Sequence, residues 1–208
     1  VMPDLAVLAV FIPTFFFVSI TPGMCMTLAM TLGMSIGVKR TLWMMAGELV
    51  GVALVAIAAV MGVASVMLNY PDAFAILKWL GGAYLAYIGI NMWRSKGKMA
   101  IVEGQQTDSS ISNYALMSQG FVTAIANPKG WAFMISLLPP FISVDKAVAP
   151  QLFWLLSIIM LTESVSMLAY ASGGKSLRMF LSRGDNIKLM NRIAGSLMIG
   201  VGFWLALG

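Results

Sequence analysis

Residues 19–25 read SITPGMC, a Thr-Pro-Gly interruption inside an otherwise apolar run, and residues 125–131 read IANPKGW, an interruption of similar build inside another. Proline has no backbone N–H and its ring clashes with the turn before it, so neither motif fits within a straight, continuous helix. At the first position of a new helix the missing N–H is no loss, and Thr21 and Asn127 are residue types that cap such a start. Each motif therefore predicts one helix ending and a second beginning in the middle of a long apolar stretch.

Composition identifies the solvent around those stretches. Of 208 residues, 60% are hydrophobic and 10% charged, and the mean hydropathy is +0.89, whereas a soluble domain carries about 25% charged residues. In a bilayer, a helix needs about 20 mainly apolar residues to cross the hydrocarbon core. Runs at 5–34, 42–68, 73–93, 114–141, 150–171 and 189–207 meet that need and predict an all-α integral membrane protein of six transmembrane helices. The motifs TPG (21–23) and NPK (127–129) break the first and the fourth. The first run is long, lacks a basic flank and is followed by no small-residue cleavage site, so a cleaved signal peptide is not expected.

Lys39 and Arg40 follow the first span, Arg94, Lys96 and Lys98 the third, and Lys175, Arg178, Arg183, Lys188 and Arg192 surround the connection between the fifth and sixth. Short basic loops stay in the cytoplasm. The opposite connections carry Asp72 and Asp145 with only Lys146, and Lys78 lies just inside the third span, so both termini are expected outside. The net charge of +5 is then a by-product of topology, and these short loops give no reason to expect a nucleic-acid partner.

The polar stretch at 97–113 predicts a cytoplasmic linker between two halves of three spans each, 1–96 and 114–208. The halves match by subtraction: Pro22 to Pro128 is 106 residues, Glu48 to Glu163 is 115, and Gly82 to Gly195 is 113. Locally, GGAYLAYIG at 81–89 aligns with AGSLMIGVG at 194–202. Three spans is an odd number, so the second half must be inverted relative to the first. Inverted repeats with helices interrupted at matching positions build many secondary transporters, whose substrate site lies near the midplane where the repeats meet.

A half-helix start presents free N–H groups and the positive end of the peptide dipoles, which suits a carboxylate. Thr21, Pro22 and Gly23 at one break and Asn127, Pro128 and Lys129 at the other are therefore candidate contacts for a small zwitterion. A single proline is also common as a packing kink in membrane helices; it is the pairing that favours a site. Glu48 and Glu163 are the two acids deep within spans, where an ionised side chain costs about 2.5–3.5 kcal/mol and is by default functional. Glu163 is the first candidate for proton coupling, and Glu48 a candidate both for that and for a substrate ammonium. As a structural pair instead, one would bond Lys129 and the other a hydroxyl such as that of Thr162 or Ser166. Glu48 lies in GELVG (47–51), whose small-xxx-small spacing lets another helix approach closely. Lys129 either holds a substrate carboxylate or neutralises a glutamate.

Other chemistries have less support. Of the 18 methionines, Met26, Met30 and Met34 follow helical spacing, but Met24, Cys25 and Met26 point about 100° apart on a helix and cannot converge on one ion. Methionine packs flexibly in cores, so no metal and no cofactor are expected. Cys25 is alone, which precludes a disulfide within one chain. The chain has no histidine, which removes Ser-His nucleophiles and His-ligated zinc. A Ser-Lys dyad around Lys129 is the remaining route to an enzyme, and matched breaks in both halves argue against it. A channel would carry its charges in rings, and here they occur singly.

The motifs TPG at 21–23, LKWLGGAYLAYIGINMWRS at 77–95, NPKGWAFMISLLPPFI at 127–142 and MNRIAGSLMIGVGFWLALG at the end resemble the LysE/RhtB family of amino-acid exporters, close to its homoserine and threonine efflux branch. Family members typically have proline where this chain has Met24. The resemblance implies efflux of a small amino acid across the bacterial inner membrane, with Glu163 supported more firmly than Glu48. It marks NPK as a signature without choosing a role for Lys129. The expected partners are a small amino acid, protons and the lipid bilayer; export of another small metabolite or cation in the same fold is the alternative. Assembly with further copies of the chain is compatible with the sequence and not required by it.

Overall fold

A computed structural model of the chain describes residues 4–94, 110–143 and 145–207, and these are helical apart from short connections. Helix α1 (Leu5–Ile20) ends where the first motif starts, and α2 (Met24–Ser35) follows it at an angle of 54°. Thr21 between them is extended, with φ −65° and ψ 128°, because the Pro22 ring disfavours the helical conformation in the residue before it. Two further helices, α5 (Asn113–Ala126) and α6 (Pro128–Leu137), meet at Asn127, which is extended for the same reason at φ −76° and ψ 103°.

The two helix starts are capped differently. Asn127 caps α6, its side chain accepting the Lys129 N–H at 3.1 Å, and Pro128 is the first helical residue. Thr21 does not cap α2, contrary to the sequence expectation. Gly23 occupies the cap position without a side-chain bond, and Pro22 precedes the helix instead of opening it. With both Pro22 and Gly23 outside the helix, the threonine hydroxyl turns back and donates to the Phe17 carbonyl at 2.6 Å. One of the carbonyls left free at each of the two helix ends is met by an aromatic donor. The Tyr170 hydroxyl donates to Ile20 O at 2.6 Å, and Trp131 Nε1 to Ile125 O at 2.8 Å.

The remaining helices are α3 (Val38–Asn69), α4 (Pro71–Arg94), α7 (Val148–Ser182) and α8 (Gly184–Leu207), with a 3-10 turn at Pro139–Phe141 after α6. Among the described residues, Val38–Val66 and Val148–Ser182 are long and apolar enough to cross a membrane, and the bent α1–α2 pair makes a third such span. Helix α7 runs past its expected end at 171, through a bend at Gly174 whose φ of 51° is a conformation that glycine adopts without strain. The boundary expected at 96 and the linker expected at 97–113 lie outside the described residues as far as 109; from there Ser112 caps α5, accepting the Ala115 N–H at 3.2 Å.

Three helix pairs close through small residues. A side-chain carbon on Gly47 of α3 would overlap the Met117 carbonyl oxygen of α5, and one on Gly120 of α5 would overlap that of Met44. The GELVG spacing therefore does admit a close neighbour. Gly33 of α2 meets Ala171 of α7 in the same way. Between α4 and α8, Gly82 faces Gly202 and Gly89 faces Gly195, and a Cβ on any of the four would come within 2.6 Å of its partner's carbonyl oxygen. Low numbers face high ones, so α4 and α8 run antiparallel.

Two apolar cores result. One gathers Phe11, Phe15, Val18, Val55, Phe133 and Leu155 from α1, α3, α6 and α7. The other gathers Met26, Met30, Met44, Leu116, Met167 and Tyr170 from α2, α3, α5 and α7, which uses the methionine stripe for packing. On its far face α3 exposes Val50, Leu54, Ile57 and Met61, each at least 38% accessible. An apolar stripe at helical spacing turned away from the core suits lipid.

Candidate functional site

A cavity takes its wall from both cores. Both helix breaks open on it. The first contributes Ser19, Thr21, Gly23 and Cys25, the second Asn127 and Lys129, while Glu48 comes from α3 and Glu163 from α7. The breaks face each other across the space. Asn127 Nδ2 donates to Cys25 Sγ at 3.8 Å, and Lys129 Nζ stands 3.8 Å from where a Cβ on Gly23 would lie.

Thr21, Gly23, Glu48, Asn127, Lys129 and Glu163, singled out from the sequence, thus share one cavity. Pro22 and Pro128 do not line it, and Pro128 is exposed. Direct substrate contact, expected of both prolines, gives way to a backbone role: each holds the residue before it extended and so sets the break. Thr21 keeps its place in the wall, although its hydroxyl is committed to Phe17.

The two acids differ. Glu48 is 0% exposed, and neither of its oxygens has a hydrogen-bond partner among the described residues. The Cys25 thiol lies beside this carboxylate and is coupled to it electrostatically. Glu163 accepts the Ser19 hydroxyl at 2.8 Å, and that hydroxyl is also 3.4 Å from Ser166 Oγ. Lys129 attracts Glu163 through space, and its Nζ sits 5.8 Å from the Phe133 ring centroid. The ion pairs within 4 Å among the described residues lie elsewhere, at Lys146 with Asp4 and Lys188 with Asp185. The structural-pair alternative is therefore met only in part: Glu163 takes a hydroxyl, but from α1 across the interface, and Glu48 takes none.

Gln151 gives the contrast. It is 3% exposed, and its amide bonds the Ser143 N–H, the Ser143 carbonyl and the Ala147 carbonyl at 2.8–3.0 Å. A buried polar group satisfied on both sides in this way is architectural. An unpartnered carboxylate facing a cavity is the opposite case, and it is suited to a cationic group or a proton.

Several residues in the wall or packed beside it were not singled out by the sequence. Ser19 was legible in principle as a hydroxyl just before the break. Tyr170 lies seven residues after Glu163, on the same face of α7 as Ser166, so one stripe of α7 grips the end of α1. The apolar wall of Phe15, Val18, Val52, Val55, Phe133 and Met134 has no local signature, because these residues look like any other core.

The model of the LysE type translocator family matches residues 16–208. A homoserine/homoserine lactone efflux protein of Salmonella typhimurium is 28% identical over 188 residues, 90% of each chain. A leucine efflux protein of Klebsiella pneumoniae is 26% identical over 197 residues, 91% of this chain and 90% of its own. An uncharacterized membrane protein of Vibrio cholerae is 28% identical over 189 residues, again 90% of each. No solved structure matches the chain. Family and relatives alike indicate transport rather than enzymatic turnover, and with its model covering almost the whole length, the chain belongs to the LysE type translocators, a family of membrane transporters.

Proposed function

We propose that this translocator exports a small α-amino acid from the cytoplasm in exchange for protons, by alternating access of two inverted three-helix repeats. The observation that carries this reading is the unpartnered, fully buried carboxylate of Glu48 in one cavity with Lys129 and the capped start of α6. A zwitterion supplies both missing partners: its ammonium goes to Glu48, and its carboxylate to Lys129 and the Gly130 N–H in the first turn of α6. Asn127, Thr21 and Gly23 shape the same end of the site. The relatives named for homoserine, homoserine lactone and leucine efflux bracket the range of small substrates, with homoserine and threonine the sequence-based expectation.

Glu163 is assigned the proton. Ionised, it holds the Ser19 hydroxyl and attracts Lys129; protonated, it loses its charge and loosens α7 from the end of α1. The inverted repeat draws support from the α4–α8 seam. Under the offset of 113 residues, Gly82 becomes Gly195 and Gly89 becomes Gly202, so the contacts Gly82–Gly202 and Gly89–Gly195 exchange with each other. A two-fold axis in the membrane plane has that property. The basic end of the bundle faces the cytoplasm of a bacterial inner membrane in this reading, with both termini outside and 97–113 linking the repeats inside.

The test is counterflow in proteoliposomes against a panel of amino acids, with and without an imposed pH gradient. Saturable exchange that the gradient accelerates and that Lys129→Met abolishes is the expected result. Flux that fails to saturate, or that ignores the amino acids offered, overturns the proposal.

A further inference from the structure

The cavity is divided by chemistry. Ser19, Glu48 and Lys129 lie at one level, and one helical turn from each lies an apolar residue: Phe15 four before Ser19, Val52 four after Glu48, and Phe133 four after Lys129. Val18, Val55 and Met134 complete this second level. The steps lead the same way, because Phe15, Val18, Val55, Phe133 and Met134 all belong to a single core, with Val52 packed against it. None of the six side chains donates a hydrogen bond, and the only acceptor among them is the weak thioether of Met134.

From this layering we infer that the translocator is selective for α-amino acids with an aliphatic side chain of about leucine or methionine size, over the short hydroxylated amino acids homoserine and threonine. The inference rests on the roles proposed for Glu48 and Lys129. With the ammonium and carboxylate of the substrate anchored at the polar level, the side chain has the apolar compartment to enter. A hydroxyl there gives up water without gaining a partner, and a charged side chain gives up far more. A lactone, in turn, offers no carboxylate to Lys129. Apolar pockets discriminate against an added hydroxyl by about a hundredfold at best, so the preference is graded rather than absolute.

The experiment measures binding of L-leucine, L-methionine, L-homoserine and L-threonine to the purified full-length protein by substrate-dependent thermal stabilisation, with counterflow in proteoliposomes as the second readout. Leucine and methionine are expected to bind about ten- to a hundredfold more tightly than homoserine and threonine. Val55→Thr, which puts a hydroxyl into the compartment at nearly constant volume, is expected to shrink that ratio about tenfold, and Val52→Thr serves if the first variant fails to fold. Homoserine or threonine binding as tightly as leucine, with binding still lost in Lys129→Met, overturns the aliphatic assignment and leaves the amino-acid site standing. An unchanged ratio in both folded threonine variants overturns the compartment as the side-chain site. Binding of none of the four, or binding indifferent to Lys129→Met, overturns the underlying site reading and this inference with it.

Discussion

Glu48 and Glu163 line one cavity, yet the Glu163 carboxylate holds a serine hydroxyl and that of Glu48 has no hydrogen-bond partner among the described residues. That difference separates their proposed roles and the effects of neutralising them. An unpaired buried charge is costly, so Glu48→Gln should leave the substrate-free protein as stable as before or more so, while its affinity for substrate falls about ten- to a hundredfold, the worth of a charged hydrogen bond. Thermal unfolding with and without amino acid measures both at once, and unchanged affinity would remove Glu48 from the substrate contacts. Glu163→Gln keeps an oxygen for Ser19, so binding should persist while acceleration of export by an imposed pH gradient is lost. Wild-type acceleration in that variant would take the proton role away from Glu163. Tyr170 was invisible to sequence reasoning because its bond to Ile20 O joins residues 150 positions apart. Tyr170→Phe leaves a helix-end carbonyl unpaired and should destabilise the protein by about 1 kcal/mol, read as a lowered unfolding temperature.

At the level of elements, the breaks were legible because proline acts on its immediate neighbour: the conformations of Thr21 and Asn127 follow from one local steric rule. The capping of α2 was not, since it turned on whether Thr21 or Gly23 took the cap position, and the two residue types cap a helix about equally well. The difference yields a prediction. In Pro128→Ala only the cap bond from Asn127 still opposes a continuous helix, so α5 and α6 should fuse into one helix and swing Lys129 away from the cavity. In Pro22→Ala, Gly23 still disfavours helix by about 1 kcal/mol, and the break should survive in part. Substrate-dependent thermal stabilisation should therefore vanish in the first and only weaken in the second; equal loss in both would give the two prolines the same role. The helix seams were half legible. GELVG announced a close approach but could not name α5 as the neighbour. Gly47→Ala or Gly120→Ala forces a methyl into a backbone carbonyl and should cost about 1–3 kcal/mol of stability, whereas Gly62→Ala, with nothing within 4 Å, should cost none.

For the whole molecule, the proposed duplication rests on near-constant sequence offsets of 106, 115 and 113 residues, but the polar and apolar walls of the cavity have no such signature, because they depend on which turns of α1, α3 and α6 converge, and that is decided by packing between distant segments. Sidedness lies between these cases. The structure ties Arg40 to the Ile111 carbonyl, and it sets the Arg192 guanidinium 5.1 Å from the Trp93 ring centroid. These contacts gather basic residues at the ends of the bundle where α3, α5 and α8 begin and α4 finishes. The opposite end joins Asp4 to Lys146 at 4.0 Å, with both side chains largely exposed, a pair too solvated to fix an orientation by itself. Orientation then rests on the bias of basic residues toward the cytoplasm, and on orientation rests the direction of transport. In a Cys25→Ser background, a single cysteine at Ser182, at the end of α7, should be blocked by an impermeant thiol reagent only when the cytoplasmic face is opened to it. A cysteine at Asp72, in the first turn of α4, should react in intact cells. The reverse pattern would turn the bundle over, put the basic end outside and make the proposed exporter load its substrate from the wrong compartment.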